Sequence, residues 1–176
     1  PSDGGNSIGA ALYTAYCIHG QGRTYSDSSS FLGPEFSQEE VVSTVKRRRL
    51  SHKVLAKPEE AIANLMADGE IVAHFYGRME FGERALGNRS ILADPRNPEV
   101  KERINGIIKY REGYRPFAPA VRADRAHKYF DVVQGYECRF MEKVVPIRTE
   151  FRKYLPGVTH VDGSGRLQTV DENENS

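Results

Sequence analysis

The sequence predicts a mixed α/β fold of the α+β kind, and three observations carry that prediction. In the first third of the chain, apolar residues recur at helical spacing behind recognisable helix-start signals. From about residue 70 onward, short runs rich in Val, Ile and Phe are separated by Gly, Pro and Asn, which is how strands are punctuated. Helical and strand-like stretches then alternate, with a second module starting near residue 58.

Taken in order, Pro1 to Ser7 reads as a glycine-containing turn that feeds a helix. Ile8, Ala11, Leu12 and Ala15 place an apolar stripe on one face of that helix, which ends near His19–Gly20. Residues 20–36, with Gly-Gln-Gly, three serines and Gly33-Pro34, read as a loop or linker. Ser37-Gln-Glu-Glu40 is a capping box, and it starts a helix that turns Val41, Val42 and Val45 inward. Pro58 opens a third helix through Ile62, Leu65 and Met66, and Gly69 stops it.

Ile71–Tyr76 and Ser90–Ala93 are expected strands flanking a loop rich in glycine and arginine. Asn97-Pro98-Glu99 caps a helix whose apolar face is Val100, Ile104, Ile107 and Ile108. Strands are expected at Phe117–Val121, Phe140–Val145, Val158–Val161 and Arg166–Val170, with short helical stretches around 123–130 and 148–154. The tail from Asp171 to Ser176 has no core-forming residue, and no internal repeat is visible.

Composition narrows the function. Of 176 residues, 39% are hydrophobic, enough for a core over most of the chain. Twenty-five basic against 24 acidic side chains leave a net charge of +1, so the global basic excess of a general nucleic-acid binder is absent. Cys17 and Cys138 form neither a CxxC pair nor a metal-ligand pattern, which fits a reduced, cytoplasmic compartment. No stretch approaches the roughly 20 apolar residues of a membrane span, and the first residues lack the apolar region of a signal peptide.

Two segments concentrate polar residues. Gly77-Arg-Met-Glu-Phe-Gly-Glu-Arg-Ala-Leu-Gly-Asn-Arg-Ser90 continues to Arg96. Its glycines allow close approach of backbone to a ligand. Arg78, Arg84, Arg89 and Arg96 offer planar forks suited to phosphate or carboxylate. Two readings stand side by side here: an Arg–Glu network with Glu80 and Glu83 that pins the loop, or a ligand site. It is neither a Walker A loop nor a GxGxxG fingerprint.

Lys109-Tyr-Arg-Glu-Gly-Tyr-Arg-Pro-Phe-Ala-Pro119 follows a helix end, where Lys109 and Arg111 would also serve as simple capping charges. Arg115, between Tyr114 and an apolar Pro-flanked run, calls for a carboxylate or an anionic ligand. In Thr159-His-Val-Asp-Gly-Ser-Gly-Arg166, His160 and Asp162 alternate on one expected strand face before a glycine turn to Arg166. Lys46-Arg-Arg-Arg49 could suggest nucleic acid, but it lies on an amphipathic helix beside Glu39 and Glu40 and reads better as a solvated face.

Together Gly77–Arg96, Asn105–Val121 and His160–Val170 resemble the O-carbamoyltransferases of nodulation-factor and antibiotic tailoring, and the likeness extends to the opening Asp3-Gly-Gly-Asn-Ser-Ile-Gly-Ala-Ala. The resemblance implies an actin/hexokinase-like domain, of which residues 1–20 are the end, a linker and helix over 21–57, and a YrdC-like twisted-sheet domain over 58–176. It implies that this region forms carbamoyl-adenylate from ATP and carbamoyl phosphate, for transfer to a hydroxyl of a small-molecule acceptor by the first domain. Arg84, Lys109 and Arg115 are then the catalytic cations, and Arg89, Ser90, Arg111, His160 and Arg166 join them in binding nucleotide and carbamoyl phosphate.

Lys109-Tyr-Arg111 also resembles the Lys-x-Arg signature of YrdC-type domains. Its Ser-x-Asn companion belongs to a stretch beyond Ser176, so the sequence is expected to be a truncated part and not fully active alone. Asp3 matches a metal-site aspartate whose fellow ligands are not in this sequence. The implied cofactors are ATP with Mg²⁺, and Fe or another divalent metal in the first domain. The implied partners are carbamoyl phosphate, ATP and the acceptor, with a homodimer as an option and neither membrane nor nucleic acid expected. The alternative is a YrdC-like nucleotide- or RNA-binding module without catalysis. A hydrogenase-maturation carbamoyltransferase would bring zinc-finger cysteines, which this sequence lacks.

Overall fold

The computed structural model describes residues 2–24 and 29–171, with side chains from residue 5 onward. Helix α1 (Ser2–Tyr13) begins earlier than the sequence suggests, because Gly4 and Gly5 lower helix propensity without forbidding the conformation. It widens into a π-helix over Thr14–Ile18, where Thr14 Oγ1 donates to Ala10 O at 2.9 Å in competition with the backbone ladder. Helix α2 (Gln38–Arg47) starts on the expected capping box: Ser37 Oγ accepts from Glu40 N–H at 3.2 Å, and Glu40 Oε2 accepts from Ser37 N–H at 2.8 Å. Helix α3 (Pro58–Ala67) carries its proline in the first turn.

Strands β1 (Val72–Phe75) and β2 (Arg89–Leu92) form an antiparallel pair, with Phe75 opposite Arg89 where the connecting loop leaves and returns. Helix α4 (Val100–Arg103) continues as a π-helix over Ile104–Lys109 and closes on Tyr110 in the left-handed region at φ 47°. Strand β3 (Ala120–Arg122), a 3₁₀ turn over Ala123–Arg125, α5 (Ala126–Tyr129), β4 (Lys143–Pro146), α6 (Thr149–Arg152) and β5 (Ser164–Val170) complete the order. The second sheet runs β3-β5-β4, with β3 parallel and β4 antiparallel to the central β5.

Strand alternation gives β5 two different faces. Leu167 is fully buried in a core with Phe130, Ile147, Cys138, Ala126 and Val145. A Cβ on Gly165 would stand 3.1 Å from Ile147 and 3.2 Å from Phe130, so that face is filled to contact. Burial pushes the Cys138 thiol up, and its Sγ donates to Leu167 O at 3.2 Å, which makes it a core residue. Ser164, Arg166 and Gln168 occupy the opposite face.

The expected strand at Val158–Val161 is absent. Leu155 O accepts from Val158 N–H at 3.2 Å and Thr159 N–H at 3.1 Å, and His160 O accepts from Gly163 N–H at 2.9 Å. These local bonds wind residues 158–163 into turns, so His160 and Asp162 do not share a strand face. Gly163 ends the turn at φ +81°, where a Cβ would meet the Arg152 guanidinium at 2.5 Å; only glycine suits that position.

Candidate functional site

The loop from Gly77 to Asn88 is organised from inside by one carboxylate. The Glu80 side chain is fully buried. Its Oε1 accepts from the backbone N–H groups of Leu86 at 2.7 Å, Asn88 at 2.9 Å and Arg89 at 3.2 Å. Its Oε2 accepts from Arg89 Nε at 2.9 Å, and Arg89 Nη2 returns to Glu80 O at 2.8 Å. Burial alone would raise the Glu80 carboxyl, but Arg89 and the backbone donors outweigh it and hold the group below the ordinary glutamate range. Asn88 Nδ2 donates to Arg78 O at 2.6 Å, and Ser90 Oγ accepts from Gly87 N–H at 3.0 Å. The pinning network read from the sequence is therefore present through Glu80 and Arg89, and Ser90 supports the loop's backbone.

Arg84 lies at the exposed end of this loop and has no hydrogen-bond or ion-pair partner among the described residues. It borders a cavity of about 730 Å³. One wall is the face of α1 and its π-helical extension bearing Ile8, Leu12, Tyr13 and Tyr16; Phe81, Phe140 and Met141 supply further apolar surface. Arg166 enters from β5, and its Nε donates to Met141 O at 2.8 Å, which fixes the guanidinium at the cavity wall. Arg23 is a third cation on the same cavity, which Glu83 and Glu142 also line, so among the described residues three guanidinium groups and two carboxylates border it. Sequence reasoning missed Arg23 because it lies in a segment without periodicity.

The other expected cations lie elsewhere. Lys109 and Arg115 do not border this cavity. Lys109 is exposed at the end of the π-helix, and Arg115 pairs with Glu112 at 2.8 Å with both side chains about half exposed. Arg111 is held by the protein itself: its Nε donates to Asn105 Oδ1 at 2.7 Å, and its guanidinium lies 4.8 Å from the Phe117 ring centroid. Buried Asn105 also donates through Nδ2 to Arg115 O at 3.0 Å, so one amide shapes the whole segment after the helix.

His160 Nδ1 lies 3.1 Å from Ser164 Oγ, and Ser164 Oγ donates to Asp162 Oδ1 at 2.6 Å. The Ser164 hydroxyl and backbone N–H depress the Asp162 carboxyl, with the nearby His160 adding to them. His160 Nε2 is buried without a hydrogen-bond partner among the described residues. The Asp3 side chain lies outside the described part, and no group of three or more His, Cys, Asp or Glu that could hold a metal ion occurs among the described residues. Among those residues no helix is long and apolar enough to cross a membrane.

Sequence comparison places this geometry in context. The chain is 41% identical over 177 residues to nodulation protein NolNO of Sinorhizobium fredii, which covers 98% of the chain and 26% of that protein. It is 37% identical to nodulation protein NolO of Bradyrhizobium diazoefficiens, over 98% of the chain and 32% of that protein. It is also 37% identical to nodulation protein U of Azorhizobium caulinodans, over 97% of the chain and 28% of that protein. The chain thus spans about a quarter to a third of the length of these relatives. Residues 63–176, which carry Arg84, Glu80 and Arg166, match the family model described as the carbamoyltransferase C-terminus, and the chain belongs to that family.

Proposed function

We propose that this chain supplies the phosphate-binding part of an O-carbamoyltransferase, and that the cavity between α1 and the 77–88 loop receives the anionic substrates. The observation that carries the proposal is the meeting of Arg84, Arg166 and Arg23 on one cavity beside a broad apolar wall. Guanidinium forks suit phosphate oxygens, and the apolar wall suits the flat face of a base. Family membership supports the carbamoyl chemistry; the cavity supports an anionic, partly apolar substrate such as ATP.

In the proposed reaction, water splits carbamoyl phosphate into carbamate and inorganic phosphate. A carbamate oxygen then attacks the α-phosphorus of ATP, the bond to the bridging oxygen breaks, and pyrophosphate leaves with its electron pair. Carbamoyl-adenylate remains, and the other domain of the whole protein passes its carbamoyl group to a hydroxyl. No protein nucleophile is needed. Fixed cations position the phosphates and stabilise the charge that develops on them. Lys109 and Arg111 remain proposed phosphate ligands on the strength of the Lys-x-Arg likeness, and Arg115 on that of the carbamoyltransferase-like segment that contains it.

Among the described residues only Glu83 and Glu142 offer carboxylates at the cavity, which does not amount to a resident metal cage. Mg²⁺ fits instead as a companion of the nucleotide phosphates, where it would neutralise charge on the leaving group. A divalent metal such as iron, with Asp3 among its ligands, is proposed only for the transfer domain of the whole protein.

The test is carbamoyl-phosphate-dependent exchange of labelled pyrophosphate into ATP by the full-length protein. Exchange should require carbamoyl phosphate and fall by roughly 10²–10³ in Arg166→Ala or Arg84→Ala, as for other preorganised charge stabilisers. Nucleotide binding without any exchange would leave a non-catalytic module in its place.

A further inference from the structure

We propose that Gln168 is a positioning residue for Arg84: with Glu80 it grips the backbone on both sides of Leu86 and so sets Arg84 opposite Arg166. The observation is a pair of buried hydrogen bonds on a single residue. Leu86 N–H donates to Glu80 Oε1 at 2.7 Å, and Leu86 O accepts from Gln168 Nε2 at 2.8 Å. Leu86, Glu80 and Gln168 are all buried, so neither bond competes with solvent. Leu86 follows Arg84 by two residues and itself borders the cavity, so fixing the two peptides that flank it fixes the base of the exposed turn that carries Arg84.

The geometry of β5 explains why the same strand can do both tasks. Gln168 and Arg166 are two residues apart and share a face. Gln168 is tied into the centre of the sheet: its backbone N–H donates to Pro119 O at 2.9 Å, and it pairs in register with Ala120. Arg166 is tied to the same sheet opposite Val144. Gln168 therefore connects the strand that presents one cation to the loop that presents the other, across 82 residues of sequence. Without it, the loop that carries Arg84 would lose its side-chain tie to the strand that presents Arg166. This inference rests on the anion-binding role proposed for the cavity.

The experiment is calorimetric titration of inorganic pyrophosphate into the full-length protein, as wild type, Gln168→Met, Arg84→Ala and the double variant. Gln168→Met keeps length and removes the donor, and it should weaken pyrophosphate binding by about tenfold, the scale of one net hydrogen bond. Because Gln168 acts through Arg84, the double variant should bind no more weakly than Arg84→Ala alone. Gly157→Ala, whose lesion lies against Val100 and Pro95, serves as the control for lost stability alone and should leave the affinity unchanged. Where Gln168→Met does not fold, Gln168→Leu removes the donor without adding a charge and enters the same cycle. Additive losses in the double variant, or wild-type affinity in the position 168 variant, overturn the positioning role and leave the cavity's anion binding intact. Failure of the wild type to bind pyrophosphate overturns the anion reading itself and the inference with it.

Discussion

Replacing Glu80 with alanine should open the 77–90 loop, and the size of the effect follows from what the carboxylate holds. Glu80→Ala strands the N–H groups of Leu86 and Asn88, both in buried residues, and removes the charged partner of Arg89. An unpaired buried donor costs about 1–3 kcal/mol. The Arg89 side chain is 34% exposed and can turn to water, so loss of its ion pair adds at most about 1 kcal/mol. Water entering the space left by the carboxylate can serve both donors, which keeps each near the low end of that range. A total of about 3 kcal/mol results, on the order of a 10²-fold rise in the loop's opening equilibrium.

Glu80→Gln separates the two contributions. The amide oxygen can still accept from the backbone donors, while the charge opposite Arg89 is gone, so a loss of about 1–2 kcal/mol is expected. Native-state amide exchange at Leu86, Asn88 and Arg89 reads the opening free energy of the loop directly. Protection factors within tenfold of wild type in Glu80→Ala, or equal losses in the alanine and glutamine variants, would refute the idea that this carboxylate organises the loop through its backbone bonds.

Two further expectations concern stability. The folded Glu80 carboxyl titrates below the ordinary glutamate range, so its contribution is complete above the unfolded value of about 4.3 and is lost as pH falls through the folded value. Urea midpoints should therefore drop below about pH 4 more steeply in wild type than in Glu80→Gln, and parallel profiles would contradict the assignment. At Gly157, a Cβ would stand 2.6 Å from Val100 Cγ1 and 3.0 Å from Pro95 O, against a buried side chain and a fixed carbonyl. Gly157→Ala should lower stability by about 1–3 kcal/mol in denaturant unfolding, with an unchanged midpoint as the refuting result.

The legible parts of this fold are those whose signals are local. The Ser37–Glu40 capping box, the proline start of α3 and the β1–β2 pair flanking an arginine-rich loop appear where side-chain chemistry within a few residues specifies them. The run at 158–161 misled because β-branched residues suggest a strand, whereas Leu155 O is near enough to capture the donors of Val158 and Thr159. Periodicity cannot weigh that competition, since it depends on where α6 ends.

The arginines show a similar limit. Nothing in the residue type distinguishes Arg84, exposed on the cavity, from Arg89, bound to a buried glutamate, or Arg111, held by Asn105 and Phe117. The sequence offered pinning and ligand binding as rival accounts of one loop, yet they are complementary. Glu80 and Arg89 neutralise each other inside and thereby hold the backbone, while Arg84, outside, has no partner among the described residues. A loop whose arginines were all paired would be stable and unable to bind an anion. One whose arginines were all free would have no fixed shape to offer it. The one signal that could have exposed the division is the two-residue spacing of Arg166 and Gln168 on a strand, which sends a charge and an amide to the same face and so joins the cavity to the loop that borders it.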